Sequence, residues 1–260
     1  MGTTTIISTW IADPQWGDGW SVIQDPHQAP QPSVWVIDPS DAHVLLADRY
    51  ESILSNGELA RSARFHHQTH QIRYKTTHTI LRLLLAGATQ LDPAVLHFVG
   101  EHHNKPCLPI YQGRSTTFNL SYTENKSLVG IADGAAIGID IEWLRRPIVI
   151  DDMMEACFSA EEIRYITAQK EGLRHRFFTL WTRKEAILKL TGEGIGEHLP
   201  FFEVLDGTCI AQKEIIGGNP PDRIYLYSFH IDDDYLGCYA TSEPVNRLPC
   251  FRLDRSQMAL

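Results

Sequence analysis

Gly138-Ile139-Asp140-Ile141-Glu142 is the stretch on which the reading of this chain turns. In an extended strand successive side chains point to opposite faces, so Ile139, Ile141 and Trp143 share one face while Asp140 and Glu142 share the other. Two carboxylates placed that way lie roughly 6–7 Å apart. Acidic residues are poor strand formers, and like charges at this spacing repel. Either this face is solvated and both acids are exposed, or a divalent cation relieves the repulsion. Hard carboxylate oxygens without Cys or His beside them favour Mg2+, which takes few protein ligands and completes its shell with water and substrate phosphate.

Downstream of this strand lies Phe177-Phe-Thr-Leu-Trp-Thr-Arg-Lys-Glu-Ala-Ile-Leu-Lys189. On a helix Trp181, Glu185 and Lys189 recur every four residues and occupy one face. Leu188 adjoins that face, so the acid and the amine border an apolar stripe. They are either a surface ion pair worth a few tenths of a kcal/mol or a base and a charge stabiliser. The tryptophan beside them favours the second reading.

The surrounding chain repeats its own plan. Val34-Trp-Val-Ile-Asp38 is strand-like, Leu54-Ser-Asn-Gly-Glu58 resembles a helix start with Ser55 as candidate cap, and a helical run from His70 to Leu85 is expected to end at Gly87. Later Ile137 to Ile141 is strand-like, Ser159 with Glu162 forms a capping box, and a helical run from Phe177 to Leu190 stops at Gly192. Ser55 to Ser159 is an offset of 104, and Gly87 to Gly192 is 105. This pattern predicts an α+β fold of two similar subdomains, residues 1–134 and 135–260, related by pseudo-twofold symmetry. Each is expected to be a small antiparallel sheet packed with a long helix. Val36, Asp38 and Leu81 stand at the first-half positions equivalent to Asp140, Glu142 and Glu185, which implies one active site. Residues up to about Pro32 read as an irregular lead-in. Phe201–Leu205, Arg223–Phe229 and Tyr235–Ala240 read as antiparallel strands.

The composition narrows the function classes. The 260 residues carry 23 Lys+Arg against 32 Asp+Glu, a net charge of −9, with 43% apolar residues. That is globular and excludes disorder and collagen-like repeats. An acidic chain repels phosphate backbones, so general nucleic-acid binding is not expected. Five dispersed cysteines without a CxxC pair argue for a reducing compartment. The first ten residues lack the basic and apolar regions of a signal peptide, and Ile6 occupies the Ser/Thr position of a myristoylation signal. The greasy run Leu81–Ala88 is interrupted by Arg82 and too short to span a bilayer. A cytoplasmic protein without membrane association is expected. His66 and His70 have the i,i+4 spacing of helix-borne zinc ligands, but no third ligand stands near; exposed helix histidines are the other reading.

The strand and the helix together resemble the paired signatures of the 4′-phosphopantetheinyl transferases: Gly-Ile-Asp-Ile-Glu, then Trp-x-x-Lys-Glu-Ala-x-x-Lys, with 43 residues from Glu142 to Glu185. Asn104-Lys-Pro-Cys-Leu-Pro109 resembles the family's Gly-Lys-Pro segment, and Phe118-Asn-Leu-Ser-Tyr122 its Asn-x-Ser-His turn. The order is similar to the longer, monomeric, pseudo-dimeric Sfp-type branch, over about Ser55 to Glu203. The resemblance implies transfer of the 4′-phosphopantetheine arm of coenzyme A to a serine of an apo acyl or peptidyl carrier protein, with release of adenosine 3′,5′-bisphosphate. It implies Mg2+, or Mn2+ in its place, on Asp140, Glu142 and Glu185. Asp140, Glu185 and Lys189 are the implied catalytic residues, with Glu185 as general base and Lys189 against the pyrophosphate. Arg61, Arg73, His103, Asn104, Lys105, Asn119, Ser121 and Tyr122 are the implied coenzyme A contacts, together with Lys189. Three departures stand out: Tyr122 where His is common, Asn104 for a usual Gly, and Glu58 at an often basic position. The competing readings are another Mg2+-dependent phosphotransferase or phosphohydrolase, and an inactive paralogue that binds coenzyme A or a carrier without turnover.

Overall fold

A computed structural model of the chain describes residues 2–24, 29–100, 105–111, 113–194 and 196–255. The first half runs through β1 (Thr3–Ile11), β2 (Trp16–Asp18), α1 (Gly19–Gln24), β3 (Ser33–Ile37), α2 (Pro39–Leu46), α3 (Tyr50–Ile53), α4 (Asn56–Ser62) and α5 (Gln68–Thr89). The short strands β4 (Val99–Gly100) and β5 (Pro106–Cys107) follow, then the hairpin of β6 (Thr116–Thr123) and β7 (Lys126–Asp133). The second half comprises β8 (Ile137–Trp143), α6 (Asp151–Cys157), α7 (Ala160–Thr167), α8 (Leu173–Thr191), β9 (Gly207–Gln212), α9 (Lys213–Ile216), β10 (Arg223–His230), β11 (Tyr235–Thr241) and β12 (Cys250–Leu253).

The duplicated plan is present. One sheet has the order β8-β11-β10-β1-β9 and the other β2-β12-β3-β7-β6. Each contains the same three-strand unit, β3-β7-β6 in one and β8-β11-β10 in the other. What differs is where the extra strands attach. β1, from the start of the chain, pairs in parallel with β10. β12, from the other end, pairs in parallel with β3. Each half therefore borrows a strand from across the 134/135 division, and both sheets are mixed instead of purely antiparallel.

The matching helix starts rest on the same chemistry. Ser55 and Ser159 each accept the backbone N–H of the residue three on, while Glu58 and Glu162 reach back to the cap backbone. These acids are buried, and each meets a buried cation from the long helix of its own half. Arg82 Nε donates to Glu58 Oε2 at 2.9 Å, and Lys184 Nζ lies 2.7 Å from Glu162 Oε2. Gly192 ends α8 with a left-handed φ of 78°. The α5 run passes through Gly87 to Thr89 and is closed by Gln90 at φ 59°.

Among the described residues three apolar clusters hold the fold together. One joins α8 to the β8-containing sheet around Phe177, Ile187 and Leu226. A second joins α5 to the other sheet around Trp35, Leu84 and Val129. The third lies between the sheets and unites Val34, Val36, Leu128, Ile139, Ile141 and Tyr239. The sheets thus stack face to face with a long helix outside each.

Three readings are corrected. The irregular lead-in contains the nine-residue β1, whose inward positions are Thr4, Ile6 and Ser8, so only Ile6 displays the expected apolar signal. Phe201–Leu205 is not a strand: a 3-10 turn spans Leu199–Phe201, and Phe202 and Val204 are buried beside α8. His66 precedes α5, and His67 is its N-cap, so the two-histidine helical spacing does not exist. Among the described residues no helix is long and apolar enough to cross a membrane.

Candidate active site

Gly138 sets the distance between β8 and α8. A β-carbon there would lie 2.0 Å from the Ala186 carbonyl oxygen and 2.4 Å from the Leu190 nitrogen, so only glycine lets strand and helix meet. Asp140 and Glu142 share the face of Gly138 and are carried against α8, while Ile139 and Ile141 turn into the inter-sheet core. Both acids are buried, which removes the solvated-face reading. On α8 the predicted stripe appears as Trp181, Glu185 and Lys189, partly exposed on a helix otherwise largely buried from Phe177 to Leu190.

Lys189 Nζ lies 2.6 Å from Asp140 Oδ1 and donates at 2.8 Å to Ser121 Oγ, which itself donates at 2.8 Å to Asp140 Oδ1. Asn119 Oδ1 accepts the Ile139 N–H at 3.0 Å and fastens β6 to β8. Trp181 Nε1 donates to Glu142 Oε1 at 3.0 Å, and Arg146 Nη1 donates to both Glu142 oxygens, at 3.0 and 3.3 Å. Asp140 Oδ2 and Glu185 Oε1 are buried without a hydrogen-bond partner. Burial, then the Asp140 charge, pushes Glu185 up to about 7. The same two causes raise Glu142 to about 7, against the pull of Arg146 and Trp181.

Among the described residues no group of three or more His, Cys, Asp or Glu side chains is gathered closely enough to hold a metal ion. Asp140, Glu142 and Glu185 lie within electrostatic reach of one another, with Lys189 paired to Asp140 and Arg146 to Glu142. The donor chemistry nevertheless suits a hard cation, since two carboxylate oxygens are buried with nothing to satisfy them.

The basic end lies across β6 in the first half. Arg61 on α4 sits 5.9 Å from the Tyr74 ring centroid, and Arg73 on α5 sits 5.6 Å from that of Tyr122 while donating to the Glu124 carbonyl. A cavity of about 270 Å3 opens between Arg61, Tyr74, His78, Asn119 and Tyr122. A second, of about 560 Å3, shares Arg61 and Phe65 with it and adds Gly57 and Arg64. The Tyr122 hydroxyl is buried with no partner, and burial raises its pKa. Lys105 Nζ donates to the Ile137 and Leu190 carbonyls, joining the ends of β8 and α8. His103 and Asn104 lie outside the described residues. Another cavity, of about 590 Å3 between the end of β1 and residues 245–251, contains none of these side chains.

Residues 136–240 match the family described as the 4′-phosphopantetheinyl transferase superfamily. The 4′-phosphopantetheinyl transferase psf-1 of Bacillus pumilus is 32% identical over 167 residues, covering 64% of this chain and 69% of its own. The chain belongs to the 4′-phosphopantetheinyl transferases. Further members of similar sequence are HetI of Nostoc sp., 34% identical over 55% of this chain and 62% of its own, and Sfp of Bacillus subtilis, 26% identical over 76% and 86%.

In this phosphopantetheinyl transferase the two lysines of the Trp-x-x-Lys-Glu-Ala-x-x-Lys signature have different tasks. Lys184 is fully buried, donates to the Leu199 and Phe202 carbonyls and pairs with Glu162, so it is a core strut. Lys189 faces the acids. Sequence reasoning missed Arg146 as a partner of Glu142. Its signal was the i,i+4 spacing, hidden because β8 ends at Trp143 and a strand period places no such neighbours. It also left Glu58 unexplained as a departure; the capping box and Arg82 account for it.

Proposed function

We propose that this chain transfers the 4′-phosphopantetheine arm of coenzyme A to a serine hydroxyl of apo acyl or peptidyl carrier proteins, with adenosine 3′,5′-bisphosphate leaving. The serine oxygen forms a bond to the phosphorus that bears the pantetheine arm, and the bond from that phosphorus to the bridging pyrophosphate oxygen breaks. The serine proton goes to Glu185. Glu185 keeps one buried oxygen without a hydrogen-bond partner, which is free to accept that proton.

Lys189, anchored by Asp140 and Ser121, presents a fixed positive charge toward the pyrophosphate. Arg61 and Tyr122, which face one cavity, would take the nucleotide end, with Arg73 behind Tyr122. Asp140, Glu142 and Glu185 would hold Mg2+, or Mn2+. The ion, when bound, supplies electrostatic stabilisation of charge developing on the phosphate oxygens. Residues 1–134 and 135–260 act as two halves of one site, since Ser121 and Asn119 come from one and Asp140, Glu185 and Lys189 from the other. A monomer is therefore sufficient. Five free cysteines support a reducing cytoplasm.

The single observation that carries this reading is the Ser121-Lys189-Asp140 cluster set beside the partnerless oxygens of Asp140 and Glu185. Incubation with coenzyme A, Mg2+ and a panel of apo carriers, followed by peptide mass spectrometry, tests it. The expected product is a phosphopantetheinylated serine. Glu185→Gln and Lys189→Ala should each lower the rate at least about 100-fold. Wild-type rates in a folded Glu185→Gln variant would remove that residue from its role.

A further inference from the structure

Resting on the metal assignment just proposed, the geometry points to Arg146 as a built-in competitor for the divalent ion. The two arginines that follow β8 do different things. Arg145 turns outward and pairs with Asp234 at 2.6 Å. Arg146 turns back and lays its guanidinium on Glu142. The backbone under it is fixed, because Arg174 on α8 donates to the Leu144 and Arg146 carbonyls. Only the side chain is left to move.

The asymmetry of burial gives the direction of exchange. The Glu142 side chain is 9% exposed, whereas that of Arg146 is 48% exposed. Removing the guanidinium into water costs little; leaving Glu142 ionised, buried and without a counter-charge costs much more. Arg146 therefore supplies the positive charge that Glu142 requires while no ion is bound. It must withdraw when a doubly charged ion arrives, since the two cations repel at such range. Trp181 need not leave: its indole is neutral, and a carboxylate has about four lone-pair sites of which one serves the indole. Arg146 stands at the rim and sets the free-ion concentration at which the site fills.

Calorimetric titration of Mn2+ into the full chain, with and without coenzyme A, tests this. Arg146→Gln and Arg146→Met should bind Mn2+ roughly tenfold more tightly than wild type, the equivalent of losing one charge-assisted hydrogen-bonded pair. Arg146→Lys should remain near the wild-type value. A residue that merely positioned Glu142 would give the opposite sign, with weaker binding after its removal. Unchanged or weaker Mn2+ binding in both neutral variants overturns the proposal. An Asp140→Asn control separates the two levels. If it abolishes Mn2+ binding while the Arg146 variants show no gain, the metal site stands and the competitor does not. If Asp140→Asn leaves binding intact, or no variant binds Mn2+ even with coenzyme A, the metal assignment itself fails. Should one neutral variant not fold, the other decides.

Discussion

Tyr122 carries a buried hydroxyl with no internal hydrogen-bond partner, and the residue lines a cavity together with Arg61 and Tyr74. Such a group is costly unless a ligand completes it. Tyr122→Phe should therefore leave the unfolding free energy within about 1 kcal/mol of wild type, or raise it, while increasing the KM for coenzyme A several-fold. An unchanged KM would mean that the phenol takes no part in binding. The acids give a prediction with a sign. Glu142 and Glu185 are raised from 4.5 to about 7, so the folded chain retains protons that the unfolded chain releases. Metal-free protein should lose stability as the pH rises from about 4.5 to about 7 and change little from these groups above that. Melting temperatures across that range should fall less steeply for Glu185→Gln than for wild type. Residues of this kind were legible in the sequence to different degrees. Asp140, Glu185 and Lys189 announced themselves by strand and helix periodicity. Arg146 did not, because its contact is made by a loop that curls back after the strand has ended.

At the scale of elements, the decisive contact is between β8 and α8. Gly138→Ala would force a methyl group into the Ala186 carbonyl, a backbone atom that cannot step aside. A loss of at least about 1–3 kcal/mol is expected in urea denaturation, with transfer activity falling further because Asp140 is displaced from Lys189. Lys184→Met isolates the strut from the chemistry. It strips a fully buried Glu162 of its counter-charge, which should cost about 3–5 kcal/mol. In the fraction that stays folded, the KM for coenzyme A should be unaffected. The long helices and their capped forerunners were readable because a capping serine, a 3.6-residue period and, for α8, a terminal glycine are local signals, whereas α5 runs past Gly87 to Gln90. β1 was not, since two of its three inward side chains are Thr4 and Ser8, satisfied by the Pro221 and Val204 carbonyls. Those partners are about 200 residues away and leave no mark on the local pattern. Phe201–Leu205 failed in the other direction: its apolar run is buried, but around a turn that offers carbonyls to Lys184.

For the whole molecule, the duplication was visible as an offset of about 104 residues, whereas the exchange of end strands was not. Periodicity reports what an element is and says nothing of which sheet receives it. The exchange makes the halves interdependent. Residues 1–134 produced alone would lack β12 beside β3, and residues 135–260 would lack β1 between β10 and β9. Neither fragment should show a cooperative thermal transition, whereas the intact chain should melt in one step by circular dichroism and by tryptophan fluorescence alike. A fragment melting cooperatively at the temperature of the whole would refute that interdependence. The topology also has a bearing on biosynthesis. β1 is translated long before its parallel neighbour, Arg223–His230, and β3 long before its own, Cys250–Leu253. Neither sheet can be completed until the later strand of its parallel pair has been translated, so the early apolar segments stay uncovered through most of synthesis and depend on chaperones until then.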